Sequence, residues 1–112
     1  MTLEGFNSIL QTTELPVAYR FFPEGDKKNP PPNPPFICYF ETDTNNFSAD
    51  GVVYVKVVEF AVELYTEKKD LELEEKVEKA LFSFYWNKEE EYLDDEKCYM
   101  IVYRLEVNID AW

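Results

Sequence analysis

The sequence predicts an α+β domain: an antiparallel or mixed sheet of about four to five strands with two helices packed on one face. Three observations carry that expectation. Apolar residues recur at helical spacing near the N-terminus and again after residue 70. They alternate with polar residues over long runs in between and at the C-terminus. The chain has 112 residues, 46% of them apolar and 17% aromatic, enough to bury one core without disulfide or metal staples. No internal repeat or change of composition divides residues 1–112, so a single domain is expected.

Each element follows in order. Thr2 is placed to cap a short helix carrying Leu3, Phe6, Ile9 and Leu10 on one face, with Gly5 as its weak point. Thr12 and Thr13 end it, and Pro16 opens a strand over residues 17–22. The segment PEGDKKNPPPNPP, residues 23–35, is too rich in proline to join a sheet ladder and favours polyproline II, a stiff arm. A strand over residues 36–40 follows, then ETDTNNFSADG (41–51), turn chemistry throughout. The longest strand pattern, VVYVKVVEFAVELYT, sets Val58, Phe60, Val62 and Leu64 against Glu59, Ala61 and Glu63, with a bend near Lys56.

Asp70 caps the second helix, and Glu72, Glu74 and Glu75 lie in its first turns, where the helix dipole favours negative charge. Leu73, Val77, Ala80, Leu81 and Phe84 form its apolar stripe, and Glu75 and Lys79 make an i,i+4 pair. A short strand over residues 84–86 precedes the acidic segment NKEEEYLDDEK, and the chain closes with a strand over residues 98–109. In that last strand Tyr99, Ile101, Tyr103, Leu105, Val107 and Ile109 share one face; the sheet's other face holds Glu59, Glu63, Arg104 and Glu106 and reads as facing solvent or a partner.

Composition excludes several kinds of function. There is no histidine, which removes the commonest general base, the Ser-His and Cys-His pairs and most zinc and iron sites. Cys38 and Cys98 lie inside apolar runs without CxxC spacing and read as buried, reduced thiols. No phosphate-binding, dinucleotide-binding, zincin or serine-nucleophile motif occurs. From Asp43, the calcium-loop template fails at its fifth, sixth and twelfth positions, occupied by Phe47, Ser48 and Tyr54. The acids Glu89, Glu90, Glu91 and Asp94, Asp95, Glu96 read as solvated side chains on a loop. No catalytic residue, cofactor or metal ligand is therefore expected, and the chain reads as a non-enzyme.

The 11 basic and 23 acidic residues give a net charge of −12, which repels phosphate backbones and anionic membranes. No apolar run approaches the roughly 20 residues that span a bilayer. The N-terminal stretch carries Glu4 and no basic region, so it is not expected to be an export signal. Candidate contact residues are Pro31, Pro32 and Asn33 in the stiff arm and Asn45, Asn46, Phe47 and Asp50 in the loop. Glu59, Glu63, Glu89, Glu90 and Glu91 are candidates for an acidic lumen or docking face. Pro32 and Pro35 also satisfy PxxP spacing.

LPVAYRFFPEG (15–25), PPFICYF (34–40), NNFSADGVVYVK (45–56) and VELYTEKKDLELEEKVEKAL (62–81) occur here in one order. That series resembles small head–tail region proteins of siphophages and prophages of Gram-positive bacteria, of the tail terminator, tail completion, head–tail joining or minor capsid type. The resemblance covers roughly residues 15–107 and brings no catalytic residues with it. It implies an oligomeric ring, expected to be a hexamer in the virion, assembled in the bacterial cytoplasm. The ring would cap the tail tube and dock the DNA-filled head, with tail tube and connector proteins as its partners. DNA would pass an acidic lumen without specific binding. The rival expectation is an acidic phage-encoded inhibitor that mimics DNA and binds a basic host protein. Against it, lysines interrupt the acids in TEKKD and EEKVEKA.

Overall fold

The structure, a computed structural model, describes residues 1–22, 32–44, 47–49 and 52–109. Two helices, α1 (Leu3–Gln11) and α2 (Leu71–Ala80), accompany β1 (Val17–Tyr19), β2 (Phe36–Thr44), β3 (Phe47–Ala49), β4 (Val52–Val55), β5 (Val57–Thr66), β6 (Trp86–Leu93) and β7 (Cys98–Asn108). Five strands form one mixed sheet in the order β1-β2-β5-β7-β6, and β3 pairs with β4 as a separate hairpin. The α+β class is as the sequence predicts. The sheet is mixed because β1 runs parallel to β2, with Val17 opposite Ile37, while the other pairings are antiparallel.

Both helices cover one face of the sheet, and the core lies between. Phe6 and Leu10 of α1, with Val77 and Leu81 at α2, meet Ile37, Tyr39, Val58, Phe60, Val62, Leu64, Ile101, Tyr103, Leu105 and Val107 from the three central strands. Phe6 sits at its centre, stacked on Phe60 at 4.8 Å and edge-on to Tyr39 and Phe84 at 5.7 Å. Such pairs add roughly 0.5–1.5 kcal/mol each beyond the area they bury.

Both helix starts use the predicted caps. Thr2 Oγ1 accepts from the Gly5 N–H at 2.9 Å, and Asp70 Oδ1 accepts from the Leu73 N–H at 3.2 Å. A Cβ at Gly5 would lie 3.2 Å from that same Thr2 oxygen, so the glycine that weakens the helix also leaves room for its cap.

Several boundaries differ from the sequence reading. The strand expected over 17–22 stops at Tyr19, because Arg20 takes φ 70° and turns the chain away. β2 does not end at Phe40 but continues to Thr44. A bulge between Glu41 and Asp43 lets it keep pairing with β5. Much of the expected 41–51 loop is therefore strand: the end of β2, then β3. The bend at Lys56 is a break, with β4 paired to β3 and β5 in the main sheet. The acidic segment after residue 86 is not a loop either. It is β6, hydrogen-bonded to β7 along its whole length, from Trp86 opposite Leu105 to Leu93 opposite Cys98. The strand expected over 84–86 thus starts only at Trp86. Carboxylates are tolerated there because the strand lies at the sheet's edge and the residues between its half-buried ends, Trp86 and Leu93, are exposed. Of the arm expected over 23–35, residues 23–31 lie outside the described residues, and Pro34–Pro35 is a cis bond.

Candidate functional site

The described residues that the sequence singled out fall in three places. Pro32 is half-buried and Asn33 exposed, just before the cis Pro34–Pro35 bond. Phe47 opens β3, opposite Val55. Pro31, Asn45, Asn46 and Asp50 lie outside the described residues. The acids share a sheet but not a face. Strand alternation puts Glu59 and Glu63 of β5, with Glu89 and Glu91 of β6, on the face without helices. Glu90 lies on the helix side, where Lys69 reaches it.

The helix-free face carries charge at its ends. Asp43, Glu59 and Glu106 stand directly opposite one another on β2, β5 and β7. Like charges so placed are mildly destabilising. Arg104 lies beside them and approaches Glu89 at 3.7 Å. A shallow trough of about 550 Å³ opens there, lined by Glu59, Tyr85, Asn87, Arg104, Leu105 and Glu106. Among the described residues no group of three or more acids, cysteines or histidines could hold a metal ion. Cys38 and Cys98 are buried and free. Burial, and after it the Glu63 carboxylate, push the Cys38 thiol up to about 11, far from the range of a reactive thiolate.

The most organised polar cluster ties β6 to α2. Glu74 is 2% exposed, and its two carboxylate oxygens lie 2.7 Å from Lys69 Nζ and 2.9 Å from Lys88 Nζ. Lys88 also reaches Glu78 at 2.9 Å, and the Tyr103 hydroxyl donates to the same Glu78 carboxylate at 2.8 Å. Burial works to raise the Glu74 pKa, but the two ammonium groups together outweigh it and hold the carboxyl below its ordinary value. Lys69 is raised by Glu74 and Glu90, and Lys88 by Glu78 and Glu74. Burial, and then the bond to Glu78, hold the Tyr103 phenol well above its usual range. The cluster's chemistry is positional: it fixes the helix-side surface of an edge strand.

The sequence reading missed this cluster because it accounted for Glu74 by the helix dipole alone, as one of three acids in the first turns of α2. The signal was present, since Glu74, Val77 and Leu81 share one stripe at i, i+3 and i+7. An acid on an apolar stripe demands a buried partner. It also missed Phe82 and Tyr85, 82% and 89% exposed in the connection between α2 and β6.

No protein-family model and no curated protein matches the sequence. Among solved structures, a chain in the virion of a native gene transfer agent particle has a similar fold. The TM-score is 0.55 at 12% sequence identity, with 92% of this chain and 84% of that chain covered.

Proposed function

We propose that this chain is a non-enzymatic virion protein at the head–tail joint of a phage or prophage, of the tail terminator or tail completion type. It acts in a ring that caps the tail tube and presents a surface to the head. The observation that carries the reading is the fold shared with a chain of the gene transfer agent virion across 92% of the present sequence. The ordered motifs described above point the same way. So does the charge: a ring of subunits at −12 each offers DNA a lumen that repels phosphates.

The test is electron microscopy of induced lysates from a host whose prophage lacks this gene. DNA-filled heads beside overlong tail tubes are expected of a terminator. Emptied heads beside tails of normal length would move the protein to the head side of the joint. Intact, infectious particles would refute a structural role.

A further inference from the structure

We infer that the outer edge of β6 is a docking site for a strand of a different, basic virion protein, added to the sheet by main-chain hydrogen bonds. The inference rests on the virion reading above and names one contact within it. β6 closes the sheet: it pairs with β7 on one side and, among the described residues, with nothing on the other. Over its eight residues, every second N–H and C=O therefore points away from the sheet. That is the geometry by which an extended segment joins a sheet. The opposite edge is less suited, since β1 has three residues and ends where Arg20 turns.

The surroundings of this edge are those of an interface. Phe82 and Tyr85, the two most exposed large apolar side chains described, precede the strand, and Tyr92, 47% exposed, lies near its end. Aromatic side chains at the ends of an edge are anchors of the kind that dominate protein contacts. The edge is also held still. Lys88 is committed to Glu74 and Glu78, and Lys69 joins Glu90 to Glu74. Little conformational entropy remains to be lost when a partner strand arrives.

Charge decides which partner. Between Lys88 and Lys97 the sequence has two lysines and six acids. Glu89, Glu90 and Glu91 occupy the middle of the edge. A second copy pairing through β6 about Glu90 would lay carboxylate against carboxylate, which opposes that pairing. A strand with lysine or arginine at alternate positions meets the acids instead.

The experiment uses assembled particles. In the complementing gene, p-benzoylphenylalanine replaces Tyr85 or Tyr92, particles are purified and irradiated, and cross-linked peptides are identified by mass spectrometry. The expected product joins β6 to a different virion protein, within a segment bearing basic residues at alternate positions. The double variant Glu89→Lys/Glu91→Lys, whose two sites are exposed, is expected to keep its circular dichroism spectrum and lower the cross-link yield at least tenfold. A cross-link to a second copy, no cross-link from particles that contain the protein, or an unchanged yield in the double variant would each overturn the inference alone. Particles that lack the protein altogether would overturn the virion reading, and this inference with it.

Discussion

Replacing Glu74 by glutamine tests whether the buried ion cluster holds α2 to the sheet edge. The change is nearly isosteric, so it removes charge without opening a cavity. Removing one partner of a buried ion pair costs about 3–5 kcal/mol, because the other charge is left uncompensated. Here the cost is smaller. The Lys69 and Lys88 side chains are 41% and 34% exposed, and each keeps a second carboxylate, Glu90 and Glu78. About 2–3 kcal/mol is expected for Glu74→Gln at pH 7. With an unfolding entropy near 2.1 cal/mol/K per residue, a chain of 112 residues loses about 4 °C of Tm per kcal/mol. The variant should therefore melt roughly 8–13 °C below the wild type.

The pH dependence adds a second readout. The folded pKa of Glu74 is lowered, so its stabilisation is present above the unfolded value of about 4.3 and is lost as pH falls through the folded value. The gap between wild type and variant should hold from about pH 5 to 8 and narrow progressively as pH falls below about 4. Differential scanning calorimetry or urea unfolding at several pH values measures it. Equal stability at pH 7, or a gap as wide at pH 3 as at pH 7, would refute the reasoning.

Other outcomes follow from the same packing. Phe6→Ala removes the ring at the centre of the aromatic group and should cost about 3–5 kcal/mol in urea unfolding. Asp70→Ala deletes the α2 cap and should cost about 1 kcal/mol. Phe82→Ser with Tyr85→Ser touches only exposed side chains. It should shift stability by no more than about 0.5 kcal/mol while lowering incorporation into particles, read by immunoblot. Cys38, its thiol held at about 11 by burial and Glu63, should resist iodoacetamide at pH 8 in the native state and react once urea unfolds the chain.

The helices and the two long inner strands were legible because one periodicity dominates each of them. Val58, Phe60, Val62 and Leu64, like the alternating face of β7, can be buried in one register only. Asp70 and Thr2 were legible as caps because their chemistry is local. The misreadings were of the opposite kind. Thr42, Asp43 and Thr44 look like turn residues, yet they extend β2 because β5 continues beside them. WNKEEEYL has no strand pattern of its own and is a strand because β7 offers it a ladder. Where order is imposed by a neighbour distant in sequence, local propensity is overridden. The candidate contact residues were harder still. Exposure of Phe82 and Tyr85 depends on where α2 stops, and residues 71–85 carry enough apolar character to hide that boundary.

The division of labour across the sheet also bears on how such a protein changes over time. Almost all of the packing that defines the fold lies between the helices and the three inner strands, whereas β6 presents side chains that contribute little to stability. For stability, substitutions along that outer strand are therefore close to neutral, apart from Trp86, which packs edge-on against Tyr103 at the core, and Lys88 and Glu90, which are held in the ion cluster with Glu74. The charge pattern of the edge can therefore be redrawn one residue at a time without disturbing the core, whose buried side chains tolerate far less.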